Sequence, residues 1–413
     1  MKLINVFTII MTIILVGFMG CADDNYPDSI WDPNEKVNDS PVISSVVPLT
    51  MTEYTPPADS LSSYAGVGQI RFEGKNFSST ATENIVFFNS TQATILASTP
   101  TMIDVRAPVL IDDSLAIKIA TQGAYLYSNE IYPFNLMSVE NEMGAFIGAD
   151  DVNAIAVDAS ENFYASSKKN IYIMQPDSID TKSIYATFTA SGAGAMVFGP
   201  SKYLYFVQNY AMFRVDSIGT YEPTWFMIFN TTDIIRGMDF DSNGNLFAIG
   251  KLGDIYKIDV GAKSKTVVAS MEDVSISAVR VYDNNLYVSG SSVDSLNNEI
   301  LENIWRFPIN TDGSLGDQEA VFDWFAYSDG NITSITFDHE GFMYIGADGA
   351  EPISVLSTGN SIEILYPNVI SGPINKMVWG TGDYLYVNSG KLDNKKTWRI
   401  NVGKTGAPYY GRQ

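Results

Sequence analysis

The chain has 413 residues, with 47 acidic against 25 basic side chains, a single histidine and a single cysteine. A formal charge of −22 argues against a phosphate backbone as partner, which sets nucleic acid aside. One histidine and one cysteine exclude the usual structural zinc sites, and a Ser-His-Asp triad has only His339 to draw on, in the turn D-H-E-G.

Lys2 is followed by an apolar run from Leu3 to Met19, too short for a comfortable membrane span and shaped like an export signal. It ends in FMGC, with Cys21 the only cysteine of the chain. A small residue before a lone cysteine at this point resembles a bacterial lipoprotein lipobox. The resemblance implies a signal peptide over 1–20, cleavage before Cys21 and acylation of its thiol. Several acyl chains would anchor the protein stably to a membrane. Ala22-Asp23-Asp24 resembles the export tag of Bacteroidota surface lipoproteins, implying a surface-exposed place on the outer membrane. Residues 21–40 are polar, carry Pro27 and Pro33, and read as a flexible tether with Trp31 as its odd member.

Tyrosine, phenylalanine and recurring turn residues make the remainder all-β. Residues 41–136 hold about seven short strands, among them PVISSVVP (41–48), QIRFEGKNF (69–77) and LAIKIA (115–120), and suggest an immunoglobulin-like sandwich. The opening P-x-I-x-x-V-x-P, then Phe72, Gly74, Asn76 and Phe77, the Val86–Asn89 phrase and Ser128-Asn129-Glu130 resemble the TIG (IPT) domain family. That family implies a fold and a spacer or contact role. The stretch 56–66, PPADSLSSYAG, reads as a surface loop.

From 141 to 413 one phrase recurs. FDSNGNLFAIG (240–250) returns as variants whose closing aromatics are Tyr164, Tyr205, Phe247, Tyr287, Tyr344 and Tyr386, at intervals of 41, 42, 40, 57 and 42. A period near 40 residues with several strands per unit signals a β-propeller, here with six blades. The last repeat has no outer strand, since GAPYYGRQ is too short and too rich in turn formers, so MGAFIG (143–148) is expected to close the ring. The repeats resemble NHL-type six-bladed propellers. The fold expected is an Ig-like (TIG/IPT) sandwich followed by a six-bladed β-propeller with closure from its N-terminal side.

In such blades the b–c and d–a connections open on one face. The long interval falls in 289–303, between strands b and c of blade four, and 388–397 is a second long b–c loop. The residues that begin the six a strands, Asn153, Gly194, Arg236, Ser277, Thr333 and Asn375, would ring the channel mouth there. With Trp305 and Trp398 nearby, that face suits a polysaccharide or oligosaccharide. The layout resembles the accessory glycan-binding lipoproteins of Bacteroidota polysaccharide uptake. Two rivals stand beside it: a calcium-dependent lactonase or lyase, and a platform gripping an outer-membrane transporter. No cofactor is expected. Calcium is the one metal to test, at Asp150, Asp151 and Asn153.

Overall fold

The computed structural model describes residues 37–51, 55–188, 192–221, 225–293, 295–296, 299–391 and 394–412. Cys21, Trp31 and the expected signal peptide lie outside the described residues. Among the described residues no helix is long and apolar enough to cross a membrane.

Two sheets face each other between Val42 and Met137. One runs in the order Val42–Leu49, Gln69–Lys75, Met102–Arg106, Thr94–Thr99; the other runs Ser62–Tyr64, Ile131–Met137, Asp112–Thr121, Asn84–Phe88, Thr91–Gln92. Period-2 alternation decides which side chains enter the core. In Gln69–Lys75, Ile70 and Phe72 are fully buried while Arg71 points outward and pairs with Asp104 at 2.7 Å. Asn129 works as a strand substitute, because its Oδ1 accepts from the Ile43 N–H (2.8 Å) and its Nδ2 donates to the Ile43 carbonyl (3.0 Å).

The stretch 56–66 is more than a surface loop. Ser62–Tyr64 forms a strand parallel to Ile131–Met137. Tyr64 then packs with a cluster of blades five and six, its hydroxyl accepting from Asn401 Nδ2 at 2.9 Å. Gly66 sits at φ +72° against Val369, where a Cβ would come within 2.6 Å of a valine methyl. The insertion is the brace between the sandwich and the propeller.

Six four-stranded sheets follow, five of them built from consecutive strands. Their a strands are Val152–Val157, Ala195–Phe198, Ile235–Phe240, Ser275–Tyr282, Ile332–Phe337 and Ile374–Trp379, and each touches the next in a closed ring. The recurrent phrase folds as it does because its aspartate caps the a–b turn. Asp241 Oδ1 accepts from the N–H groups of Asn243 (2.9 Å) and Asn245 (2.8 Å), with Gly244 at φ +82°. Asp158 and Asp338 cap their turns in the same way. The b strands that follow, such as Leu246–Gly250, are buried at every position because neighbouring blades cover both their faces.

Blade six takes its outer strand from the N-terminal side, as expected, but not from 143–148. The strand is Glu140–Met143, paired with Lys396–Asn401 from Glu140 opposite Ile400 to Met143 opposite Thr397. Gly144 (φ +68°) and Ala145 (φ +42°) turn the chain out of the sheet, and the apolar Phe146 is buried in the core instead. The outer strand of blade one is Ser178–Thr187.

Candidate functional site

The antiparallel register puts the start of every a strand beside the end of its b strand, so the b–c hairpins and the channel mouth share one face. Most of the expected mouth ring is occupied with its own scaffold. Asn153 Oδ1 accepts from Lys395 Nζ (2.6 Å) and its Nδ2 donates to the Asp151 carbonyl (2.9 Å). Ser277 hydrogen-bonds Ser289, Asn375 donates to the Gly390 carbonyl (2.9 Å), and Thr333 donates to the carbonyls of Gly346 and Ile374 (3.1 and 2.5 Å). Gly194 presents only backbone, its N–H donating to Val207 at 2.9 Å. Of the ring, Arg236 and Thr333 line the channel cavity.

Lys376, one residue past Asn375, joins them there. Blade six lies opposite blade three, and the Lys376 side chain crosses the axis to donate to the Arg236 carbonyl at 3.2 Å. Burial, with the Arg236 charge adding to it, pulls this ammonium down to about 8. Deeper in, Ile155, Met196, Met238, Val279, Ile335 and Met377 occupy equivalent register positions and form an apolar belt. The cavity is narrow, about 90 Å³.

The far end is sealed by the tail that failed as a strand. Arg280 of blade four is the post it ties to: the guanidinium pairs with Asp239 (2.7 Å), donates to the carbonyls of Ala407 (3.2 Å) and Pro408 (2.9 Å), and stacks 3.5 Å from the Tyr409 ring centre. Tyr409 hydroxyl bonds Thr336 Oγ1 (2.9 Å), and Arg412, which burial pulls down to about 10, reaches the Trp379 carbonyl. His339 lies on this sealed face, hydrogen-bonded to Thr405. The channel therefore has one open mouth. Neither Lys376 nor the tail carried a local signal, since both act on residues of distant blades.

The long interval of blade four is a hairpin extension. Asn285–Val293 and Glu299–Pro308 stay paired as far as Val293 opposite Glu299, beyond the a strand, whose start at Ser275 lies opposite Ser291. Near its tip Val293, Leu296 and Ile300 are more than half exposed. Trp305 is not at the mouth: it sits in strand c, 6% exposed, in the core of blades three and four. Trp398, also in a c strand, packs with the core of blades five and six and donates Nε1–H to Ser389 Oγ at 2.9 Å. Strand c stands two strands out from the axis, so packing takes both rings.

The acids considered for calcium have ammonium partners. Asp151 pairs with Lys395 at 2.7 Å, which with the Asn153 hydrogen bond holds its carboxyl below the usual range, and Asp150 pairs with Lys182 at 3.2 Å. Among the described residues no three His, Cys, Asp or Glu side chains converge on a point that could hold a metal. Millimolar calcium is therefore expected to leave Tm unchanged in a melting scan; a rise saturating with calcium would reopen the lactonase reading.

Residues 41–134 match the family model of the IPT/TIG domain. No curated protein matches the chain. Among solved structures it is similar to an auxiliary nutrient binding protein from Bacteroides thetaiotaomicron VPI-5482, at 10% identity and a TM-score of 0.51, covering 90% of this chain and 98% of that one. It is also similar to an auxiliary nutrient binding protein from Bacteroides ovatus ATCC 8483, at 9% identity and a TM-score of 0.50, covering 88% and 98%. A luciferin-regenerating enzyme is similar at 13% identity and a TM-score of 0.52, over 65% of this chain and 98% of that one. At these identities the likeness establishes the fold, a TIG/IPT sandwich followed by a propeller, and nothing finer.

Proposed function

We propose that this chain is a lipid-anchored bacterial surface protein that binds a glycan at the open mouth of its propeller. One observation carries the reading: the channel is closed at one end by the 406–412 tail, so a single face offers a recess. The longest b–c hairpin rises on that same face. The cavity of about 90 Å³ is too small for a whole sugar ring, so the glycan rests on the mouth and sends one substituent down the channel. The lipobox-like FMGC with Cys21 and the likeness to nutrient binding proteins of Bacteroides agree with a place on the outer membrane.

Native gels cast with individual polysaccharides test this. Retardation of the full chain by at least one, lost when the 289–303 hairpin is shortened, is expected. No retardation across a broad panel of neutral and acidic glycans would sink the reading. A second reading has its own support: the exposed apolar hairpin tip (Val293 54%, Leu296 78%, Ile300 56%) fits a contact with a partner protein such as an outer-membrane transporter. Co-purification in mild detergent, abolished by Ile300→Asp, would favour it.

A further inference from the structure

We propose that the feature recognised at the mouth is an anionic substituent, a uronate carboxylate or a sulfate ester, held between the Arg236 guanidinium and the Lys376 ammonium. The proposal rests on the reading of the mouth as a glycan site and names what that site selects. Arg236 and Lys376 line the same cavity from opposite blades, and the Lys376 side chain crosses it. Among the described residues neither has a carboxylate partner. Among the described residues the acceptor of Lys376 is a neutral carbonyl, that of Arg236. The like charge of Arg236 adds to the effect of burial in disfavouring the ammonium form of Lys376.

Three acids of the a strands and the loops before them are engaged elsewhere. Asp233, three residues before Arg236, is buried and accepts from the Leu252 N–H (2.9 Å) and the Tyr256 hydroxyl (3.1 Å). Asp151 is held by Lys395, and Asp239 faces Arg280 at the sealed end. Two unpaired like charges above an apolar belt are costly to hold in an otherwise self-satisfied ring. An anion between them would remove that cost, and low surrounding polarity would strengthen the attraction. The cavity size agrees: about 90 Å³ admits a carboxylate or sulfate group and excludes the ring bearing it.

The net charge of −22 narrows the class further, because a long polyanion would be repelled on approach. A terminal or isolated anionic residue on a mostly neutral glycan fits both constraints. It presents one charge, end-on, to a blind hole.

Titration calorimetry of the full chain tests this against matched oligosaccharides ending in a uronic acid, a sulfated hexose or the neutral hexose. The anionic ends should bind at least tenfold tighter than the neutral one, and the better of the two identifies the group. Lys376→Met and Arg236→Gln should each lose at least tenfold toward the anionic ligand, so that each variant no longer prefers the anionic end over the neutral one. Melting curves of both variants confirm folding, and Lys376→Met should melt no lower than the parent. Equal affinity for neutral and anionic ends, or variants that bind as the parent does, would overturn the anionic assignment and leave the glycan reading standing. Failure of all three ligands together with an empty gel panel would remove both.

Discussion

Replacing Arg280 by alanine is expected to destabilise the propeller by about 3–5 kcal/mol, the range for removing one partner of a fully buried ion pair. Both side chains of the Arg280–Asp239 pair are 2% exposed, so solvent screens almost nothing. The loss is larger than the pair alone. Arg280 also donates to the Val281 carbonyl (2.8 Å) and to two tail carbonyls, and it covers the Tyr409 ring. Asp239 would keep the N–H donors of Val281 (2.8 Å) and Phe240 (2.9 Å) but would remain a buried charge without a counter-ion. In a domain of this size such a loss corresponds to a fall in Tm of roughly 6–15 °C. Hydrogen exchange localises the effect. The Ala407 amide, bonded to Phe337 at 2.9 Å, should lose protection before the blade strands do. An unchanged Tm with Ala407 still protected would mean that the tail is held by packing alone.

The second large effect concerns the joint between the first and last blades. Glu161, in the a–b turn of blade one, accepts from Thr381 Oγ1 (2.7 Å), the Gly382 N–H (2.7 Å), the Tyr386 hydroxyl (2.7 Å) and the Thr381 N–H, all of blade six. Burial alone would push this carboxyl up. The bonds from Tyr386, Thr381 and Gly382 outweigh burial and hold it below the usual glutamate range. Glu161→Ala is expected to cost about 2–3 kcal/mol at neutral pH, from charge-assisted bonds lost and donors left unpaired. The sign with pH follows from the depressed value. A carboxyl lower in the folded state stabilises above its unfolded pKa, and that contribution fades as pH falls through the folded one. The gap between parent and variant should therefore be full at pH 7 and shrink below about pH 4.5. A gap that held constant from pH 7 to pH 3 would show that the ionised form is not what blade six binds.

The fold was legible where structure is written in local chemistry. The aspartate-capped turns of Asp158, Asp241 and Asp338 repeat because each solves the same short-range problem, and the spacing of the aromatics that close each phrase counted the blades. Asn129 and Asn76 marked the sandwich for the same reason, one replacing a strand partner and the other turning at φ +64°. The closing strand was misplaced by three residues because MGAFIG is apolar and Glu140–Met143 is mostly polar. As an edge, that strand needs backbone pairing and the Glu142–Lys396 contact (2.7 Å) more than it needs apolar side chains. The mouth was legible as a place and not as a chemistry. Asn153, Ser277 and Asn375 looked available in sequence, yet Ser277 and Asn375 are spent within their own blades and Asn153 on Lys395 of blade six. Lys376 was invisible because its acceptor lies 140 positions away, across a ring that no pairwise pattern encodes.

Only two residues separate the strand that fastens the ring from the last strand of the sandwich, Ile131–Met137. The link is not slack: Val139 is 1% exposed, and its carbonyl accepts from the Asn401 N–H at 3.0 Å. A pull on the chain ahead of the sandwich would thus arrive at Glu140–Met143 lengthwise, loading its four-residue ladder in shear, the direction in which all rungs must yield together. The Tyr64–Asn401 bond and the seat of Gly66 on Val369 would share that load. Drag on a captured ligand would reach any tether through a stiff lever, so the mouth would keep its bearing relative to the sandwich under flow.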